Sequence, residues 1–232
     1  MVGESSMHDV GIAGFWIGYA RSCSWFSTDD NMHVSAKYIA CYIGSDMNGF
    51  HLRDSYLDCM GGLNEGDVTK DYQFAGTSES KSVSVYAVYA RGIVENVISE
   101  SADYARSYNS SNITEIHPYF EDIKTAVYKV TSSEATVIKG TIYSGETKLG
   151  IINSSTFTWL GEWWHSYGWD ITNSSVQFIG GAHSAGDSAD RKKYGAYLPS
   201  QCVGQTYYDT TLGKVLYWSG NGWKDAMGNS VE

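Results

Sequence analysis

Four copies of one short motif constrain this chain more than any other feature. Asn109-Ser110-Ser111, Thr131-Ser132-Ser133, Asn153-Ser154-Ser155 and Asn173-Ser174-Ser175 recur at nearly constant spacing, with their central serines at positions 110, 132, 154 and 174. The agreement runs past the motif. Thr114, Thr136 and Thr158 share one repeat position, and Ile116, Ile138 and Leu160 share the next but one. Val94, a full repeat before Ile116, extends the register one coil back. Each repeat reads as a polar turn, an alternating strand and a break. A second, slightly shorter period relates Cys23, Cys41 and Cys59, and also His33 and His51, with Trp16, Val34 and Leu52 at a matching apolar position. The cysteines read either as a stacked interior column or as a coincidence of small buried residues.

A period near 20 leaves few architectures. Helical repeats run to about 33 residues or more, and the leucine pattern of leucine-rich repeats is absent. The best helical candidate, Asn96 to Arg106, is rich in β-branched residues and serine. What remains is a parallel winding. One coil cannot bury its own inner face, but stacked coils share a continuous core. Seven or eight coils about 4.8 Å apart give a rod on the order of 35 Å long. Ser, Thr and Asn suit the corners, where their side chains bond local backbone. The 25 Gly, 18 Tyr and 8 Trp, against 2 Pro, fit short strands and tight turns. The sequons at Asn109, Asn112, Asn153 and Asn173 are read as parts of those turns. The expected fold is all-β: a right-handed parallel β-helix over 1–182, a connector over 183–204 and a small antiparallel β-module over 205–232. Met60 to Lys81 breaks the register and is expected to form a lateral loop.

Segments such as Gly92 to Ile98, Asn109 to Thr114 and Val137 to Ile142 resemble coils of the pectate-lyase-like right-handed β-helix. That superfamily includes polysaccharide lyases, glycoside hydrolases and many bacteriophage tail spikes. The resemblance covers roughly Val10 to Gly181 and carries no specific chemistry. The C-terminal stretch Tyr207-Tyr208-Asp209-Thr210-Thr211-Leu212-Gly213-Lys214 … Tyr217-Trp218-Ser219-Gly220-Asn221-Gly222-Trp223-Lys224-Asp225 reads as a hairpin followed by a meander. It resembles the tail found at the C-termini of many phage tail-fibre and tail-spike-like proteins. Ala189-Asp190-Arg191 matches the usual lead-in, except that Lys192 stands where Pro is expected. The resemblance implies a virion or prophage tail protein, synthesised in the bacterial cytoplasm, forming a homotrimer and contacting other tail proteins.

The formal charge of −10, from 16 Lys+Arg and 26 Asp+Glu, argues against non-specific binding to nucleic acid. No run of about 18 apolar residues is present, so no membrane insertion is expected. Four cysteines without a C-x-x-C pair argue against a zinc site, and no cofactor is expected. Two surface chemistries remain. Glu100 and Asp122, one repeat length apart, would lie side by side and suit acid/base cleavage of a glycosidic bond; solvated turn residues fit the same spacing. Glu95, His117 and Lys139, spaced by the same interval, read as an outward ladder of charges or as a Glu–His pair. Trp159, Trp163, Trp164, Tyr167 and Trp169 form the densest aromatic run, suited to stacking on sugar rings. Packing in a core or subunit interface fits it too. Host attachment through a bacterial surface polysaccharide is the leading expectation. A polysaccharide depolymerase (glycosidase or lyase) on the same scaffold and a purely structural virion part are the competitors.

Overall fold

A computed structural model of the chain describes residues 5–22, 24–44, 47–59, 81–143, 148–161, 168–179, 185–198, 200 and 203–232. The expected lateral loop falls almost wholly outside them. Two long bent strands, β1 (Ser5–Arg21) and β2 (Ser27–Ile43), open the winding. Each later coil divides into shorter pieces. The third holds β3 (Met47–Arg53), β4 (Tyr56–Asp58) and β5 (Val83–Val88). The fourth holds β6 (Ala90–Glu95), β7 (Ile98–Glu100) and β8 (Tyr104–Asn109), and the fifth β9 (Asn112–Ile116), β10 (Tyr119–Glu121) and β11 (Ala126–Thr131). The sixth has β12 (Glu134–Ile138), β13 (Thr141–Tyr143) and β14 (Lys148–Asn153). Then come β15 (Thr156–Leu160), β16 (Trp169–Thr172) and β17 (Ser175–Ile179).

All of these strands pair in parallel with their equivalents one coil away. They make a parallel β-solenoid of about seven turns with three walls. The first wall runs from the starts of β1 and β2 through β3, β6, β9, β12, β15 and β17. The second contains β4, β7, β10 and β13, and the third β5, β8, β11, β14 and β16.

The recurring motif works at the corner between the third wall and the next coil. Ser110, Ser132 and Ser154 adopt left-handed backbone, with φ near +51°. Their amides point along the rod, Ser110 N donating to Thr131 O at 3.0 Å and Ser132 N to Asn153 O at 3.0 Å. The second serine turns inward. Ser133 Oγ donates to Thr131 O at 2.8 Å and accepts the amide of Ser111 at 3.0 Å. Ser155 does the same for Ser133. A ladder of hydroxyls thus satisfies buried amides that no strand could reach. The other corner of the first wall uses Asp9, Asn31, Asp54, Asn96, His117 and Lys139, also left-handed. Asn, Asp and His enter that region more readily than most residues.

Several details depart from the sequence expectation. Cys41 and Cys59 do not share a column: Cys41 pairs with Tyr19 and Val85 on the third wall, whereas Cys59 lies just past β4, and Cys23 lies outside the described residues. Asn96 to Arg106 is not a helix but a corner, β7 and part of β8. Ile116 lies beside Glu95 rather than Val94, because the step from the fourth coil to the fifth on the first wall is one residue shorter than the step from the fifth to the sixth. In the last repeat Asn173, not Ser174, takes the left-handed corner, so that coil is shorter.

The interior is mainly apolar, with two charged clusters among the described residues. In the opening coils Tyr19 donates to the buried Asp29 carboxylate at 2.5 Å, and Arg21 Nη2 lies 2.6 Å from it. Arg106 from the third wall, Glu115 from the first and Ser99 from the second meet inside the fourth and fifth coils. Arg106 Nε lies 2.9 Å from Glu115 Oε2, and Tyr108 Oη donates to Glu115 Oε1 at 2.6 Å. Both ionic side chains are buried.

The C-terminal part forms a second sheet. Here β18 (Ala185–Gly186) pairs with β19 (Thr206–Asp209), followed by β20 (Lys214–Trp218), β21 (Trp223–Lys224) and β22 (Ser230–Val231) in antiparallel order. The stretch expected to be a connector supplies β18 and a helix, α1 (Ser188–Tyr197), capped by Asp187. Arg191 of that helix reaches Asp209 Oδ2 at 3.0 Å, with both side chains buried. Burial alone would raise the Asp209 carboxyl. The Leu212 amide, the Ser188 hydroxyl and Arg191 outweigh it and hold the group below the usual carboxylate range. Tyr207, Trp218 and Trp223 pack into one aromatic cluster, with ring centroids 5.4 to 5.7 Å apart. The Asp-Thr-Thr-Leu-Gly turn and the Ala-Asp-Arg lead-in are therefore two halves of one buried ion pair.

Candidate functional site

The expected pairing of Glu100 with Asp122 does not form. Glu100 lies in register with Glu121, and Asp122 is the left-handed corner residue beyond it, with Ser101 Oγ 3.5 Å from its carboxylate. The fifth coil carries its extra residue after Asp122, so the offset before that point is one residue short of the full repeat. A column of carboxylates results nonetheless: Asp58, Glu100 and Glu121 succeed one another along the second wall. Ser35 Oγ donates to Asp58 at 2.9 Å, Tyr56 to Glu100, and Tyr119 to Glu121 at 3.2 Å.

The aromatic run is also partly reassigned. Trp159 is 0% exposed and belongs to the core, so it offers no face to a ligand. A Cβ at Gly140 would sit 2.7 Å from its indole, which shows how closely the ring is enclosed. Trp169 is half-buried and packs on Gly150 and on Phe157, with the two ring centroids 5.6 Å apart. Trp163, Trp164 and Tyr167 lie outside the described residues. Glu95, His117 and Lys139 do not form one column either. His117 and Lys139 are stacked corner residues, while Glu95 turns back to His51.

That turn leads to a groove formed by the described residues. It lies on the first wall of the opening coils, encloses about 770 Å³ and is lined by Ser5, Ser6, His8, Phe26, Ser27, Thr28, Gly49, Phe50, His51, Gly92 and Ile93. The register of these coils brings Ser6, Thr28 and His51 into one outward column and His8, Asp30 and Arg53 into the next. His8 Nδ1 meets Asp30, which also receives Arg53 Nη2 at 2.8 Å. His8 and then Arg53, both bonded to Asp30, hold its carboxyl below the ordinary range. His51 Nε2 lies 2.8 Å from Glu95 Oε2. Each imidazole thus has one nitrogen fixed by a carboxylate and the other left for a further partner.

Phe26 is the exposed ring at the groove, at 58%. Its seat is Gly49, which has φ +94° and bulges out of register; a Cβ there would come within 2.9 Å of the ring. Ser27, 3% exposed, turns to the inner face with Asp29, and its hydroxyl has no hydrogen-bond partner among the described residues. An aromatic face, several hydroxyls and two oriented imidazoles suit a small polyhydroxylated ligand. Among the described residues no group of three or more His, Cys, Asp or Glu is placed to hold a metal ion.

Comparison with family models, curated proteins and solved structures found no match to the chain.

Proposed function

We propose that the chain is a phage or prophage tail-spike or tail-fibre protein that attaches to its host by binding a bacterial surface polysaccharide. The observation that carries the binding part is the first-wall groove, where the Phe26 ring, the Ser6 and Thr28 hydroxyls and the imidazoles of His8 and His51 meet. The solenoid supports the attachment part, since it is a stiff rod that carries side chains outward at fixed spacing. The C-terminal module supports it through its likeness to phage tail proteins. A homotrimer in the virion is the assembly this reading implies.

The test is binding of labelled protein to capsulated host cells and to purified capsule. Phe26→Ala should weaken binding about tenfold, the scale of one lost aromatic contact, and leave the melting curve unchanged. Undiminished binding by that variant would remove the groove from the proposal. A mass of one chain in light scattering would remove the trimer.

One observation favours a second reading, a depolymerase. Glu100 and Glu121 are adjacent strand neighbours, about 4.8 Å apart at the backbone, a spacing compatible with paired carboxylates in glycoside cleavage. Release of reducing ends from host capsule, abolished by Glu100→Gln and Glu121→Gln, would decide for it.

A further inference from the structure

The polar groups of the groove are not evenly spread along it. Phe26 and Gly49 mark one end, where Arg91 is exposed at the start of β6. Just beyond its other end lie Asp30, Arg53 and Glu95, the two carboxylates holding the lining imidazoles of His8 and His51, with Asp54 at the adjoining corner accepting from Asn96 at 3.0 Å. The two ends are about four strand residues apart, on the order of 13 Å, room for two or three sugar rings laid along the strands. At the far end three carboxylates face one permanent cation, Arg53, and that cation is already held by Asp30. Glu95 has His51 as its partner and remains a third exposed. Carboxylates therefore outnumber guanidinium groups at that end.

We infer that the groove selects saccharides bearing a free amino group over N-acetylated ones, and rejects chains bearing carboxylates. The inference rests on the reading of this groove as the sugar site, and it names the class of sugar. The ring lies with its C–H face on Phe26, its hydroxyls reach Ser6 and Thr28, and its ammonium points toward Glu95 and Asp30. An N-acetyl group removes the charge that the acidic end attracts. A uronate brings a like charge into it.

Calorimetric titration of the whole chain, at neutral pH and low salt, tests this with three probes: the β-1,4 trimer of glucosamine, its fully N-acetylated form and trigalacturonate. The amine trimer should bind about tenfold more tightly than the acetylated one, and trigalacturonate should not bind. Glu95→Gln, which keeps a hydrogen-bonding partner for His51, should bring the two neutral-pH affinities within about twofold by weakening the amine trimer alone. Phe26→Ala should weaken both. Equal binding of amine and acetylated trimers that still depends on Phe26 would overturn the selectivity and leave the sugar site standing. Binding of no probe, or binding that survives Phe26→Ala, would overturn the site together with its selectivity, since the latter is only general attraction to an acidic chain.

Discussion

In the first three repeats the two adjacent serines carry opposite requirements. The first needs only a left-handed backbone, so Ser132→Gly should be neutral or slightly stabilising in a thermal melt, because glycine adopts φ +51° without strain. The second supplies a hydroxyl that donates to Thr131 O and accepts from Ser111 N. Ser133→Ala leaves a buried amide without a partner and should cost about 1–3 kcal/mol in chemical denaturation. This division is why the motif was visible in the sequence: corner chemistry tolerates few substitutes, whereas many residues fill a wall. The cysteines misled for the converse reason, since small inward residues occur at any level of a packed interior. Burial pushes the Cys59 thiol up to about 12 and the Cys41 thiol further. Both should resist iodoacetamide in the native protein and react once it is unfolded, as read by peptide mass spectrometry.

Strands and helices are joined here by charges that hydrophobic periodicity does not reveal. Arg106 stands in an interior column between Val85 and Tyr128, where alternation alone would call for an apolar residue. Glu115→Leu strands its guanidinium and should cost about 3–5 kcal/mol, whereas the double change Arg106→Met with Glu115→Leu should recover most of that loss. Denaturant midpoints of the two variants measure the difference. The helix α1 escaped notice because Ser188 to Tyr197 has no apolar stripe and is anchored by Arg191. Since the Asp209 carboxyl titrates below its unfolded value, its contribution is present above that value and is lost as pH falls through the lower, folded one. The C-terminal sheet should therefore loosen as pH drops below about 4. Near-ultraviolet dichroism of Trp218 and Trp223 would follow it.

At the scale of the molecule, the winding and the C-terminal hairpin were legible, and the groove was not. His8, Asp30 and Arg53 keep the coil period, but nothing in a sequence tells outward polar residues that converge from those that are simply solvated. The His51–Glu95 pair is far apart in sequence because a register break separates its two coils. That break has its own consequence. The third coil leaves the second wall at Asp58 and rejoins the third wall at Val83, yet its strands match those of the fourth, which turns the same corner with Ser101, Ala102 and Asp103 alone. The register of the strands on either side is therefore the same whether the chain between them is long or short. Replacing residues 60–80 by a corner of that short kind should shift the melting temperature by no more than a few degrees, as scanning calorimetry would record. Changes in chain length at this position can accordingly accumulate without re-registering the coils that follow.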